Sequence, residues 1–265
     1  MKEYVCFLCS FLSLFAFSQS EQFTIHNIAM NNDKPHFGLS ILPDHNILVT
    51  SYLLNKNGKI KTYLGNGIYT IYKGIKSENG NIKNIEPLLI DSKEDISHIT
   101  SACISSDAKT LYVTTNYTNR KNRPKEDFKE TNFHIETAEY ISGIGWTNFK
   151  VLSFCKPRYS YAHPSISKDG KKLYFTRWKH PDNLGKDKNQ DIWFSKLKDD
   201  KSWSKAELFS RPINNEENNA VCGISLNGKT ILLNNVYGKD GKMEKGVSVS
   251  YLLRTGDFSF PKPLQ

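Results

Sequence analysis

The chain has 265 residues, 36 Lys and Arg against 27 Asp and Glu, and a formal net charge of +9. That length suits one sizeable domain. The basic residues are scattered and not gathered in blocks, which describes a solvated lysine-rich surface and gives no footprint for nucleic acid.

The first stretch reads as an export leader. Met1-Lys2 opens it, the run from Tyr4 to Phe17 is almost wholly apolar or small, and Ala16-Phe17-Ser18 puts small residues at the −3 and −1 positions of a cleavage site. Cleavage after Ser18 leaves 247 residues. The apolar run is shorter than the ~20 residues of a bilayer span, although an uncut N-terminal anchor is the alternative. Cys6 and Cys9 lie inside the run, where a lipobox cysteine would close it, so lipidation is not expected. No later segment approaches a membrane span. Phe23–Asn32 resembles the end of a repeat unit and predicts one extra outer strand.

Four units follow in chain order, each opened by a short strand and an Asp or Asn marker. The first carries Ser40-Ile41-Leu42-Pro43-Asp44, the second Cys103-Ile104-Ser105-Ser106-Asp107. The third carries Ser165-Ile166-Ser167-Lys168-Asp169-Gly170-Lys171 and the fourth Gly223-Ile224-Ser225-Leu226-Asn227-Gly228-Lys229. The markers stand 63, 62 and 58 residues apart, each with an isoleucine three residues before it. Such a period is the signature of a repeat architecture. An Asx side chain caps the following backbone and glycine accepts positive φ, so each marker predicts a tight turn.

A second strand follows each turn, with period-two apolar residues at Leu111 and Val113, Leu173 and Phe175, and Ile231 and Leu233. The first unit departs from this, with Ile47, Leu48 and Val49 apolar in a row. Third strands are expected at Gly67–Tyr72, around Phe133–Ile141, at Asp191–Leu197 and at Gly246–Tyr251. Fourth strands open at Ile82, Trp146, Trp203 and Phe258, and a hinge such as Arg211–Glu217 hands the chain to the next unit. A lone four-stranded sheet cannot bury its aromatics; sheets stacked face to face can. The expected fold is therefore all-β, a β-propeller of four-stranded antiparallel blades, either four-bladed or part of a larger ring. The units run over about 36–97, 98–160, 161–218 and 219–265.

Tyr161–Phe175, followed by Gln190–Lys196 and Trp203-Ser204-Lys205, resembles the TolB-type, or WD-repeat-like, propeller repeat. The resemblance is good in the third unit, moderate in the second and fourth, and weak in the first, and it covers about residues 36–265. It implies a periplasmic or envelope protein. Relatives often place such repeats before a peptidoglycan-binding domain of the OmpA type, which this chain lacks. The resemblance also implies that Asp107, Asp169 and Gly170 are turn residues and not a site.

The remaining signals for chemistry are sparse. Cys103, Cys155 and Cys222 stay after leader removal, an odd number without CxxC spacing, and read as buried free thiols. The marker turns differ from the sialidase box, because Gly170 directly follows Asp169 and Leu173 stands in place of a tryptophan. His36, His98 and His163 each lie just before the first strand of their unit, so they could meet at one channel mouth as a metal site. Unequal offsets from the markers favour ordinary hydrogen-bonded histidines. Asp187, Asn189 and Asp191 alternate as in the opening of a calcium loop but lack its glycine and distal glutamate. Arg120, Lys121, Arg123, Lys125 and Lys129 crowd one loop, where Tyr117, Phe128 and Tyr63 offer stacking surface for sugars or peptide.

No nucleophile elbow, phosphate loop or His-x-x-x-His pair is present. The expectation is an exported, non-enzymatic binding or scaffold propeller of the cell envelope, periplasmic or secreted. It would engage an envelope protein or a cell-wall glycan through a loop face, with no cofactor, metal, catalytic residue or nucleic-acid partner assigned. The alternative is a metal-dependent carbohydrate-active enzyme of polysaccharide-lyase type.

Overall fold

A computed structural model describes residues 27–42, 45–122, 132–179, 190–214, 219–225, 227–233, 236–237, 243–244 and 246–264. The leader, the first marker turn and the 187–189 part of the calcium-like alternation lie outside the described residues, as do Phe128, Arg123, Lys125 and Lys129. The Cys222 side chain also lies outside them.

Among the described residues every regular element is a strand. Blade 1 contains β1 (Phe37–Ile41), β2 (Asn46–Tyr52), the small hairpin β3 (Thr62–Tyr63) and β4 (Asn66–Gly67), then β5 (Tyr69–Lys76) and β6 (Ile82–Pro87). Blade 2 is β7 (Ile99–Ile104), β8 (Thr110–Thr115), β9 (His134–Ile141) and β10 (Gly145–Val151). Blade 3 is β11 (Tyr159–Ile166), β12 (Lys172–Lys179), β13 (Asp191–Lys196) and β14 (Glu207–Leu208). Blade 4 is β15 (Val221–Ile224), β16 (Thr230–Leu233), the hairpin β17 (Val236–Tyr237) and β18 (Met243–Glu244), then β19 (Ser248–Tyr251) and β20 (Lys262–Pro263). The sheet orders β1-β2-β5-β6, β7-β8-β9-β10, β11-β12-β13-β14 and β15-β16-β19-β20 make four antiparallel blades, a four-bladed β-propeller. First strands neighbour one another, β1 beside β7, β7 beside β11 and β11 beside β15.

The period-two pattern explains why the blades stack. On β8, Leu111 and Val113 join Leu48, Ile71 and Leu88 in a core between blades 1 and 2. Tyr112, on the opposite face, joins Cys103, Phe154, Tyr161, Leu173 and Phe175 between blades 2 and 3. On β12, Leu173 and Phe175 face back while Tyr174 faces forward, packing with Ile192, Phe209, Ile231 and Leu233 between blades 3 and 4. Successive strand residues point to opposite faces, so each middle strand serves two cores at once. Cys103 and Cys155 are buried free thiols in the second of these cores. Burial pushes both up to about 12.

The second, third and fourth marker turns share one set of bonds. Ser105 Oγ donates to Asp107 Oδ1 at 2.6 Å, the Lys109 N–H donates to the same oxygen at 3.1 Å, and the Thr110 N–H donates to Ser105 Oγ at 2.9 Å. Ser167, Asp169, Lys171 and Lys172 repeat this, as do Ser225, Asn227, Lys229 and Thr230. Ser-x-Asx is therefore the working unit, with the serine doing as much as the marker.

Two expectations change. The fourth strands of blades 3 and 4 are only two residues long, and Trp203 and Phe258 make single bridges to Leu197 and Leu252 ahead of them. Serine hydroxyls replace the ladder there: Ser204 Oγ accepts the Lys196 N–H at 3.0 Å, and Ser259 Oγ accepts the Tyr251 N–H at 3.1 Å. The extra outer strand read at 23–32 is also corrected in its described part, where the Asn31 N–H closes a turn on Ile28 O.

The fourth position of the turn, just after the marker, holds Gly170 at φ 69° and Gly228 at φ 68°, but Ala108 at φ 57°. A left-handed alanine costs roughly 1–2 kcal/mol. Ala108→Gly is expected to raise stability by about 1 kcal/mol, and Gly170→Ala, with open space around it, to lower it by a similar amount. Urea unfolding at matched m-values reads both.

Candidate functional site

The antiparallel order gives the propeller two unlike ends. The Ser-x-Asx turns between first and second strands lie at one end, the turn end. The longer connections from second to third strands lie at the other, the loop end, where first strands also begin.

Aromatic side chains from three blades meet at the loop end. Tyr52 closes β2 and Tyr69 opens β5, and their rings stack at 4.6 Å and 10°. Phe37, at the start of β1, meets the Tyr69 ring edge-on at 5.2 Å. His98, just before β7, packs against Tyr69 at 5.5 Å, and Phe133, just before β9, lies 6.3 Å from His98. Trp178 near the end of β12 lies 6.4 Å from Phe133. The result is a continuous aromatic arc, and Tyr69, His98, Phe133 and Trp178 are all partly open to water. Tyr52, also partly open, backs one face of the Tyr69 ring. A Cβ on Gly67 would collide with the Tyr52 ring, so glycine is required there for Tyr52 to lie flat against Tyr69.

The polar groups on the arc are neutral donors. The Tyr69 N–H donates to His98 Nδ1 at 3.4 Å, which puts the ring proton of neutral His98 on Nε2. Burial holds His98 below the ordinary imidazole pKa. Tyr69 Oη donates to Tyr52 Oη at 3.3 Å, and this bond, with burial, pushes the Tyr69 hydroxyl up to about 12. At neutral pH the arc thus offers ring faces and edges, an imidazole N–H and the protonated Tyr69 phenol. It can stack and hydrogen-bond a neutral ligand, and the Tyr69 oxygen keeps its proton.

Beside the arc lies a buried ionic cluster. Glu136 Oε1 accepts from Arg120 Nη1 and from His134 Nε2, both at 2.7 Å, and Arg120 Nη2 donates to Thr115 Oγ1 at 3.0 Å. Glu136 is 2% exposed and His134 0%. Burial acts to raise the Glu136 carboxyl, but the His134 bond and the Arg120 charge outweigh it and leave the pKa below the ordinary carboxylate value. Tyr117 stacks on His134 at 4.5 Å, and the Arg120 guanidinium sits 5.3 Å from the Tyr117 ring centre. The Lys121 and Asn122 N–H groups donate to the Asp95 carboxylate, tying the loop to the segment entering blade 2.

The sequence-read candidates fare unevenly. His98 lies in the arc. His163 lies within β11 and not ahead of it; it is solvent-accessible yet crowded by protein, which pushes its pKa down, and its Nδ1 is 3.3 Å from Thr176 Oγ1. His36 Nε2 is 3.2 Å from Asn32 Oδ1. The three histidines are not gathered: among the described residues no group of three His, Cys, Asp or Glu could hold a metal ion. Tyr117 is not a stacking surface, being 4% exposed. Arg120 is not part of a solvated basic loop, because it is consumed by Glu136. Tyr63 sits on the β3–β4 hairpin.

Tyr52, Tyr69, Phe133 and Trp178 were missed, although a signal existed. Tyr52 and Trp178 stand eight and nine residues after their markers, and Tyr69 and Phe133 stand 25 and 26 after theirs. Aligning the units beyond the turn would have shown aromatics recurring at strand ends.

No family model matches the chain, and no curated protein matches it. Among solved structures it is similar in fold to a protein assigned as TolB from Agrobacterium tumefaciens, at 13% identity and TM-score 0.42, over 88% of this chain and 82% of that one. It is similar to a periplasmic gluconolactonase from Pseudomonas aeruginosa at 11% identity and TM-score 0.38, over 85% and 71% of the two chains. It is also similar to a glycosyl hydrolase from Bacteroides ovatus at 9% identity and TM-score 0.43, over 87% and 71%. These likenesses concern the propeller architecture alone. The expectation of a non-enzymatic chain is corrected here, since propellers of this general form include a lactonase and a glycosyl hydrolase. The fold supplies no ground for excluding catalysis.

Two outcomes follow from the electrostatics. Arg120→Ala strips the buried Glu136 charge of its guanidinium and is expected to cost about 3 kcal/mol or more, read as a fall in thermal midpoint. His98 and His163 are held below the reference value of 6.5, so the unfolded chain binds their protons more readily. The stability they contribute is present above pH 6.5 and is lost as the pH falls through their lower folded values. Melting from pH 7.5 down to 5 is expected to show that loss, and the His98→Asn, His163→Asn double variant to show a shallower slope.

Proposed function

We propose that this chain is an exported β-propeller of the cell envelope that binds an envelope protein or a cell-wall glycan at its loop end. The observation that carries the reading is the arc of Tyr69, His98, Phe133 and Trp178, contributed by three blades and partly open to water. Rings that only filled a core would be sealed, as Tyr161 and Phe175 are at 0% exposure. Aromatic side chains left at a surface in a continuous run mark interaction sites.

Export is supported by the apolar run Tyr4–Phe17 and the small residues before Gln19. Among the described residues no helix is long and apolar enough to cross a membrane. The repeat pattern supports a TolB-type relationship, and such a fold presents ligands with loops held on a rigid scaffold.

The test is co-sedimentation of the purified chain with washed cell-envelope material. The wild-type chain is expected in the pellet. Tyr69→Ala, Phe133→Ala together are expected to leave it in the supernatant with an unchanged far-ultraviolet spectrum. Tyr140→Ala, which alters an exposed tyrosine near the turn end, is expected to pellet normally. Equal pelleting of all three proteins would remove the loop end as the binding face.

A further inference from the structure

The arc also carries information about the chemistry of its ligand. We infer that it is a track for a linear oligosaccharide, whose successive sugar rings lie against Tyr69, Phe133 and Trp178 while His98 donates a hydrogen bond between them. This rests on the loop end being the binding face.

Shape is the first argument. Centroid steps of 5.5, 6.3 and 6.4 Å lead from Tyr69 through His98 and Phe133 to Trp178, crossing from blade 1 to blade 3. Each ring meets the next in turn, so the contacts run as a chain from blade to blade. A run of successive stacking surfaces suits a polymer of like rings more than a compact ligand. The tilts between successive rings, 60°, 31° and 50°, leave each a partly open edge or face. A pyranose presents a C–H face to such surfaces and its hydroxyls sideways.

Charge is the second argument. Every polar group on the track is neutral at physiological pH. His98 is kept neutral by burial and donates through Nε2–H, with Nδ1 already occupied by the Tyr69 N–H. The Tyr69 phenol stays protonated. Two of the described charges nearby are spent internally, Arg120 on Glu136 and Asp95 on the Lys121 and Asn122 N–H groups. The Arg177 guanidinium is stacked on Trp193 at 3.4 Å and near Tyr159 at 4.1 Å. Sugar hydroxyls, which give and accept single neutral hydrogen bonds, match these donors. Among the described residues, the four rings of the arc themselves bring no cation to hold a phosphate or polycarboxylate.

Support is the third argument. Tyr52 is clamped between Gly67 and Tyr69, and the Tyr72 hydroxyl donates to the Tyr52 carbonyl at 2.8 Å, so Tyr69 is held in place before any ligand arrives. On the other side the Phe133 carbonyl accepts the Tyr161 N–H at 2.9 Å and fixes Phe133 to blade 3. Preformed rings lose little freedom on binding.

The experiment titrates the full chain with a ladder of β1,4-linked N-acetylglucosamine oligomers, from two to six sugars, by calorimetry and tryptophan fluorescence. Affinity is expected to rise with length until the track is filled. Tyr69→Ala, Phe133→Ala and Trp178→Ala are each expected to weaken the hexamer about tenfold. Trp178→Phe is expected to bind within a few-fold of wild type, and Tyr140→Ala to bind as wild type. Saturable binding with this variant pattern supports the track. If no oligomer binds while envelope co-sedimentation still depends on Tyr69 and Phe133, the sugar assignment is overturned and the loop-end reading stands. If the hexamer binds and the three alanine variants bind it unchanged, both are overturned.

Discussion

The middle blades of this protein have to bury both faces of their sheets. A four-stranded antiparallel sheet in isolation shows two faces to water, and here the alternate side chains on each are Leu, Ile, Val, Tyr and Phe. Leu111 and Val113 pack toward blade 1 while Tyr112 packs toward blade 3. Fully burying one such side chain is worth about 1.5–3 kcal/mol, so a middle strand that serves two cores is stable only between neighbours. Radial stacking follows from that demand. First strands then lie side by side around the axis, and whatever leaves their beginnings is collected at one end. The aromatic arc is a product of this geometry: no blade contains it, and three blades must be packed before it exists.

The two ends are built under different rules. At the turn end the backbone reverses in the fewest residues, and Ser-x-Asx satisfies the freed N–H groups locally in blades 2, 3 and 4. Such a turn tolerates little variation, because replacing either hydroxyl or carboxylate leaves backbone donors to find water. At the loop end the connections differ in length, and two of them carry small hairpins, β3–β4 and β17–β18. Variation there costs the cores nothing. Chemistry accumulates at the end that the fold leaves free.

The same contrast decides how much was legible in the amino-acid sequence. The blade pattern was readable because it rests on two local signals, period-two apolar residues and Asx-Gly turns, both of which repeat. Ala108 hid one turn only slightly, since Asp107 still stood at the right distance. The short β14 and β20 were not readable, because nothing in Trp203-Ser204 says that a hydroxyl will take the place of a ladder bond. At the loop end, Tyr117 and Phe133 look alike in the sequence, as aromatics near a long basic loop. Packing alone separates them: Tyr117 is sealed against His134 and Arg120, whereas Phe133 stays partly open between His98 and Trp178.

The buried Arg120–Glu136–His134 cluster is best understood through its position relative to the arc. Taking charges out of water is costly, and an apolar replacement of the cluster could be as stable or more so. Stability is therefore a poor account of why it is there. Its geometry offers a better one. Arg120 lies in the loop that leaves β8, and His134 and Glu136 begin β9, so the cluster ties the two ends of that loop together. Phe133 is the residue immediately before His134. An apolar contact could slide along its neighbours, whereas three directed bonds of 2.7, 2.7 and 3.0 Å fix a register. A directional, water-excluded lock beside a surface ring makes sense where the ring must be presented at one place to a ligand. Phe133 is held from behind by charge and from the side by blade 3, and only its outward surface is left for a partner to use.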